Sequence, residues 1–197
     1  MPRYTKEETG KKLRDAVVAE AIENGIGAVG VSAVVERAKV SAGTIYVHYK
    51  NKDDMLAQIY MELKAELYGY VFDGLDTSST SQMIRGMWFN MFAYVRANPQ
   101  PFLFLEYCST AKLLTADQQR VVDGYADDIG AVLQRGIDDG TLAPLDRGLL
   151  TLMLIAPAER LARRLVLSGE EISTETIEQI FARVWLSISN STKERLI

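Results

Sequence analysis

Apolar residues recur at helical spacing along nearly the whole chain, between helix caps and helix breakers. In the first such segment Leu13, Val17 and Ala21 form a stripe, and the preceding sequence TKEE fits a capping box. No alternating apolar and polar pattern of useful strand length interrupts these segments. The spacing therefore predicts an all-α fold of nine helices without a sheet.

Caps and breakers also predict where the helices begin and end. Asn24-Gly25 stops the first helix, Asn51 caps a long one that reaches about Phe72, and residues 73–81 are the most loop-like stretch. Pro157 is expected to bend the eighth helix. The other predicted helices cover about residues 32–38, 42–48, 82–97, 101–112, 115–138, 146–167 and 173–189.

Composition excludes several classes of function. The chain has 197 residues with one cysteine and one histidine, too few of these residues for a zinc site or an internal disulfide. No glycine-rich phosphate loop and no glutamate three residues before the histidine is present. We therefore expect neither catalysis nor a metal or cofactor.

The same composition bears on location. The start of the chain is polar and of mixed charge, and the longest apolar run, near residues 149–158, is far shorter than the roughly 20 residues that cross a bilayer. A single cysteine fits a reducing compartment. We expect a cytoplasmic protein that makes no contact with a membrane.

Charge is distributed unevenly along the chain. Residues 1–52 hold nine Lys/Arg against six Asp/Glu, whereas residues 53–197 hold thirteen against twenty. This pattern is typical of a small basic head on an acidic body, and basic heads often bind phosphate. Chance scatter explains a difference of this size equally well.

The segment VSAGTIYVHYKNKDDML, residues 40–56, carries the strongest functional signal. Two short helices separated by only Lys39, Val40 and Ser41 have the spacing of a helix-turn-helix, whose second helix presents its N-terminal residues to the major groove of DNA. Ile45 and Tyr49 are expected to face the core. The residues predicted to contact DNA here are Ser41, Ala42, Gly43, Thr44, Tyr46, His48, Lys50 and Lys52.

Each of these residue types suits a DNA contact. Ser41 can cap the recognition helix and offer its hydroxyl to a phosphate, and small Ala42 and Gly43 let the backbone approach closely. Thr44 has a hydroxyl and also a methyl group that can touch thymine. Tyrosine, histidine and lysine side chains at the remaining positions can donate to phosphate oxygens.

Residues 14–56 resemble the DNA-binding head of the TetR family of transcriptional regulators, and the match is most specific over residues 38–56. The resemblance implies a helix-turn-helix domain at residues 1–52, followed by a ligand-binding and dimerisation domain at residues 53–197. It also implies operator contacts from Thr44, Tyr46, His48 and Lys52.

Two departures from the family pattern affect this prediction. Lys39 stands where the family commonly has glycine, so a lysine there is expected to bear a left-handed conformation at a cost of about 1 kcal/mol, and it can also add a phosphate contact. The second helix begins GVS where the family often has threonine. Ser32 is therefore the candidate for the capping or phosphate role.

The body contains a segment rich in methionine and aromatic residues, at positions 83–108. Such side chains suit an adaptable apolar or amphipathic ligand site, and they suit a plain helical core equally well. The last two predicted helices have wide apolar faces that could form a dimer seam. The predicted ligand-binding residues are Trp88, Phe89, Phe92, Phe104, Tyr107 and Cys108.

Together with these features, the resemblance to the TetR family implies a homodimeric repressor. It binds a palindromic double-stranded operator and is released by a small-molecule effector. A transcriptional activator and an architectural DNA-binding protein of the same fold, without effector control, remain as alternatives.

Overall fold

A computed structural model describes residues 5–108, 112–171 and 173–190. Within these ranges the chain forms nine α-helices and no β-strand, which confirms the predicted all-α fold. One short 3₁₀ helix at Ile26–Ala28 was not predicted. The α-helices are α1 Lys6–Asn24, α2 Val31–Ala38, α3 Ala42–His48, α4 Lys52–Phe72, α5 Thr80–Ala97, α6 Pro99–Cys108, α7 Ala116–Asp138, α8 Arg147–Ser168 and α9 Thr174–Ile188.

Side-chain caps begin several helices. The predicted capping box is present at the start of α1, where Thr5 and Glu8 each accept a hydrogen bond from the other's backbone N–H. Ser79, Asp146 and Ser173 each accept from the backbone N–H three residues later. These bonds satisfy donors that a helix start otherwise leaves without partners.

Three helix boundaries differ from the sequence prediction by two residues or more. Helix α5 begins two residues early because Ser79 supplies its cap. Helix α6 starts at Pro99, since proline is well suited to the first turn of a helix. Lys112 lies outside any helix although α6 was predicted to include it, and residues 109–111 of that prediction are outside the described residues.

The chain divides into two compact units. The first contains the residues up to Ala65 together with Gln100–Gln119, and the second contains Glu66–Pro99 with the residues from Arg120 onward. The boundary predicted at residue 52 separates a DNA-binding domain from a ligand-binding and dimerisation domain. The division into compact units does not test that assignment of functions. It remains a proposal.

In the first unit, α1, α2, α3 and the start of α4 supply a buried apolar core. Its fully buried members come from every one of these helices, and each Leu, Val, Ile or Met among them contributes roughly 1.5–3 kcal/mol by leaving water. They are Leu13, Val17, Ala21, Val34, Ile45, Met55, Ile59 and Leu63.

In the second unit, α5 packs against α8 and α9 around an aromatic cluster. The Trp88 ring lies 5.6 Å from Phe92 and 5.5 Å from Phe181, measured between centroids. Phe181 also stacks on Trp185 at 5.8 Å. Backbone hydrogen bonds from Ala143 to the carbonyl of Ile188, and from Asn190 to that of Thr141, hold the end of α9.

Candidate nucleic-acid interface

Helix α2 is held against α1 by an ionic cluster. The Arg37 Nε donates to Glu20 Oε1 over 2.7 Å, and its terminal nitrogens donate to both Glu23 oxygens. These bonds lower the pKa of Glu23, and Glu23 and Glu20 raise the pKa of Arg37. The cluster links α2 to α1, and a short turn connects α2 to α3.

The turn between α2 and α3 is a Schellman motif, with a lysine at the position where glycine is usual. Lys39 has φ 55° and ψ 45°, as predicted from the sequence. Its N–H donates to the Glu36 carbonyl, and the Val40 N–H donates to the Val35 carbonyl, both over 3.2 Å. The left-handed conformation costs roughly 1 kcal/mol.

Helix α3 buries one side and exposes the other. Ile45 is 2% exposed and the following Tyr49 is 9% exposed, so both face the core as predicted. On the opposite side Tyr46 is 62% exposed and Val47 is 67% exposed. Large side chains this exposed, on so short a helix, are available to a partner surface.

The start of α3 is slim and open. Ser41, Ala42 and Gly43 are exposed, and no atom lies within 4 Å of the place where a Cβ on Gly43 would stand. Ser41 is the N-cap residue, but its hydroxyl lies 2.7 Å from the Thr44 hydroxyl and accepts no backbone N–H. The predicted side-chain cap by Ser41 is therefore wrong, and among the described residues the hydroxyl pairs with the Thr44 side chain alone.

Ser32 does not cap α2 either. The helix begins one residue earlier, at Val31, and the N-cap is Gly30, which has no side chain to offer. Ser32 lies exposed in the first turn. The capping role predicted for Ser32 is wrong, and its contact with phosphate stays a prediction.

His48 lies at the end of α3, against α1. Its ring atoms Cε1 and Nδ1 lie 3.5 and 3.6 Å from the position that a Cβ on Gly10 would take. Burial and the nearby Lys6 cation lower the pKa of His48. Half-buried and neutral at pH 7, the imidazole can still donate one hydrogen bond to a phosphate.

Two lysines follow α3, one in the turn and one at the start of α4, and their surroundings differ. The Lys52 ammonium donates to the Gly27 carbonyl over 2.7 Å, so it begins α4 already tied to the 3₁₀ helix. Lys50 is exposed, and its backbone N–H donates to Asp54. As predicted, Asn51 caps α4 by accepting the Asp54 N–H over 2.9 Å.

Val47 is a candidate contact that sequence reasoning missed. It is more exposed than Tyr46, and an apolar side chain on a recognition helix can touch the methyl group of thymine. The signal was present in the sequence, since Val47 lies between two predicted contacts while Ile45 alone fills the core side of α3. The exposed residues of α3 and its flanks, Ser41, Ala42, Gly43, Tyr46, Val47 and Lys50, are called the recognition face below.

The predicted ligand-binding residues fall into both units. Trp88, Phe89 and Phe92 belong to the second unit, where Phe181 connects Trp88 and Phe89. Phe104, Tyr107 and Cys108 belong to the first. Trp88, Phe92, Phe104 and Cys108 are buried, whereas Phe89 and Tyr107 are half-buried. Burial raises the pKa of Cys108 to about 12, so its thiol is protonated at neutral pH.

Two other kinds of site are missing from the described part of the chain. No group of three or more His, Cys, Asp or Glu side chains there could hold a metal ion. None of its helices combines the length and apolar character needed to span a membrane.

Two family descriptions match the chain. Residues 13–59 match the bacterial regulatory proteins of the tetR family, and residues 80–189 match a tetracyclin repressor-like C-terminal domain. The second match alone covers more than half of the chain. The first covers α2, α3 and the whole recognition face.

Similar proteins agree with these matches. An uncharacterized HTH-type transcriptional regulator from Haemophilus influenzae is 22% identical over 94% of this chain and 98% of its own. A TetR family transcription regulator from Marinobacter aquaeolei VT8 superposes with a TM-score of 0.84 at 21% identity, over 93% of this chain and 97% of its own.

A further similar structure carries a ligand. The transcriptional regulator FadR from Bacillus subtilis, in complex with stearoyl-CoA, has a TM-score of 0.67 at 17% identity, over 89% of this chain and 95% of its own. At such identities the superpositions establish the fold alone, while the family matches extend to the role. The chain belongs to the TetR family of bacterial regulatory proteins and is a DNA-binding transcription regulator.

Proposed function

We propose that the protein is a repressor that binds a near-palindromic operator as a homodimer and leaves it when a small effector binds. The observation that carries DNA binding is the recognition face, which leaves Tyr46 and Val47 in solvent while Ile45 anchors the helix. A helix of seven residues contacts only a few base pairs. Two copies reading two half-sites supply the contacts that one lacks.

Selection of bound duplexes from a random DNA pool tests this proposal. A two-fold symmetric consensus supports sequence-specific binding by a dimer. An architectural protein would enrich no consensus, because it binds most sequences alike. A reporter gene placed behind the selected operator separates repression from activation, since a repressor lowers its expression.

The residues proposed to contact the operator are those predicted from the sequence, with Val47 added. Tyr46→Ala removes an exposed ring from the recognition face and is expected to weaken binding to the selected duplex about tenfold or more, within the 1–3 kcal/mol typical of a good contact. Tyr70→Ala is the matched control, because Tyr70 is 43% exposed on α4, outside the recognition face. Equal loss in both variants would contradict the assignment.

The dimer surface is proposed to lie on α8 and α9. These helices pack against each other, yet Leu149, Leu152 and Leu186 remain 44%, 62% and 64% exposed. Leucines this exposed, grouped on two adjacent helices, favour burial against another apolar surface. A second copy offers the same surface, and such an isologous contact closes on itself.

The effector is proposed to be apolar or amphipathic and to bind near Trp88. The indole Nε1 of Trp88 is buried, and no hydrogen-bond acceptor in the described residues reaches it. A buried donor without a partner is costly, so a ligand that places an acceptor there gains free energy. Around it, Phe89, Phe92 and Phe181 offer apolar contact.

The complex of FadR with stearoyl-CoA suggests a first probe. Stearoyl-CoA combines a long apolar chain with a carbonyl acceptor, and we expect it to release the selected duplex. Trp88→Phe keeps an aromatic ring, although a smaller one, and removes the indole N–H, so it should weaken release while leaving operator affinity unchanged. If stearoyl-CoA fails, the proposed effector class fails, and the DNA selection still stands.

Release is proposed to be a two-state equilibrium. An effector shifts it only by its difference in affinity for the DNA-bound and released states. A coupling of about 1–3 kcal/mol changes operator affinity about 5–150-fold. Helix α4 runs unbroken from Lys52, beside the recognition face, to Phe72 in the second unit. A single helix therefore joins the proposed DNA-binding end to the proposed ligand-binding unit.

A further inference from the structure

Lys39 occupies a backbone conformation that lysine adopts only under strain. Among the described residues it is the only one other than glycine with a positive φ. A glycine at this position would form the same turn without steric conflict between Cβ and the backbone. The lysine therefore carries a conformational cost that the turn itself does not require.

The side chain of Lys39 recovers none of this cost inside the described structure. It is exposed, and its ammonium makes no hydrogen bond or ion pair with any described residue. Glu36 is three residues earlier, and the two do not form a salt bridge. By contrast, Arg37 is bound to Glu20 and Glu23.

Lys39 and Lys50 flank the recognition helix. Lys39 precedes the N-cap Ser41 by two residues, and Lys50 follows the end of α3 by two residues. Seven helical residues span about 10 Å, close to the roughly 12 Å width of the major groove. Lys39 is exposed and has no partner among the described residues at one end of this helix, while Lys50, whose charge helps lower the pKa of Asp54, lies beyond the other end.

We propose that Lys39 is an additional operator contact that neutralises one DNA backbone phosphate in each half-site. The inference rests on the proposed DNA binding by α3 and adds a contact from the turn before it. Because phosphate is the same at every base pair, the contact raises affinity and salt dependence without selecting sequence.

Three substitutions separate charge from strain. Lys39→Ala removes the charge and keeps the strained backbone, Lys39→Gly removes both, and Lys39→Arg keeps both. Lys112→Ala is the charge-matched control, since Lys112 is exposed and lies outside the helix-turn-helix. Each full-length variant is titrated with the duplex recovered from the selection at 50–200 mM salt, and each is melted without DNA.

Loss of the charge is expected to lower the salt dependence of DNA binding, and relief of the strain is expected to raise the melting temperature. Each lost phosphate contact lowers the slope of log affinity against log salt by about 0.9, or about 1.8 for a dimer. Lys39→Ala and Lys39→Gly should both show this smaller slope. The ratio of wild-type affinity to variant affinity should therefore shrink about tenfold when the salt concentration rises from 50 to 200 mM. Lys39→Gly should also melt about 1–4 °C higher than the wild type, whereas Lys39→Arg retains the slope.

The outcomes distinguish the two proposals. Failure of the wild type to bind any duplex would overturn the proposed function. Binding by the wild type that Tyr46→Ala abolishes, with an unchanged salt slope in Lys39→Ala and Lys39→Gly, would overturn the role of Lys39 alone. An equal loss of slope in Lys112→Ala would also overturn it, because the effect would then reflect net charge.

Discussion

Two glycines of helix α7 have opposite surroundings. A Cβ on Gly136 would lie 2.7 Å from Leu142 Cγ and 3.2 Å from Thr80 Cγ2, whereas a Cβ on Gly124 would meet nothing within 4 Å. Alanine at either position gains about 1 kcal/mol of helix propensity, but at Gly136 overpacking costs about 1–3 kcal/mol. In urea denaturation, Gly124→Ala should be more stable than the wild type and about 1–3 kcal/mol more stable than Gly136→Ala.

The surroundings of His48 predict a pH dependence of stability. Burial and Lys6 lower its pKa below the ordinary 6.5, so the folded state binds fewer protons than the unfolded state just below that pH. Stability is therefore lost as pH falls through 6.5 toward the folded-state pKa. The midpoint temperature of thermal unfolding should decrease when the pH is lowered from 7.5 to 5.5.

His48→Gln is the test of that assignment. His48 is the only histidine in the chain, and the lowered pKa values of Asp54 and Asp139 act at more acidic pH. The substitution should therefore reduce the fall in midpoint over this range. An identical fall in wild type and variant would show that another group titrates there.

At the scale of the helix, the capped start of α4 follows directly after the recognition helix in the chain. Asn51 Oδ1 accepts the Asp54 N–H over 2.9 Å, and Asn51→Ala should lower the free energy of unfolding by about 1 kcal/mol. Asn51→Asp keeps an acceptor at a helix N-terminus, where negative charge is favoured, and should preserve stability. Equal denaturation midpoints for Asn51→Ala and the wild type would contradict a capping role.

Helix boundaries were predictable wherever local chemistry decides them. The capping box at Thr5 and the cap at Asn51 follow from residue type and short-range spacing, and the left-handed Lys39 follows from the resemblance to a family that commonly has glycine there. Ser41 was misassigned because residue type and spacing do not decide this bond: Ser173, also followed by threonine three residues later, does cap its helix. The 3₁₀ helix was missed because three residues, one of them Gly27, are too few to carry a periodic signal.

Contacts between distant segments were not predictable in the same way. Gly124 and Gly136 both lie within one predicted helix, and the sequence gives no sign that they differ. Only the position of Leu142 beside Gly136 distinguishes them. The tie between Lys52 and the Gly27 carbonyl links residues 25 positions apart. Most of the exposed edge of α3, though not Val47, was predictable because a seven-residue helix with one anchor, Ile45, has little freedom in which side it buries.

At the scale of the whole molecule, the proposed dimer makes operator affinity depend on residues far along the chain from the recognition face. Leu152→Glu places a charge on the most exposed leucine of α8 and should convert the dimer to a monomer in light scattering. Two linked heads bind about 10²–10⁴ times more tightly than one, so affinity for the full operator should fall by at least about a hundredfold. Affinity for a single half-site should not change, because α3 is intact.

Val121→Glu provides the matched control for that experiment. Val121 is 47% exposed on α7, so the substitution adds the same charge to an exposed apolar side chain outside α8 and α9. It should leave both mass and affinity unchanged. If Leu152→Glu stays dimeric, the seam lies elsewhere. If it becomes monomeric and still binds the full operator with wild-type affinity, the two heads do not act together, and a palindromic operator loses its physical basis.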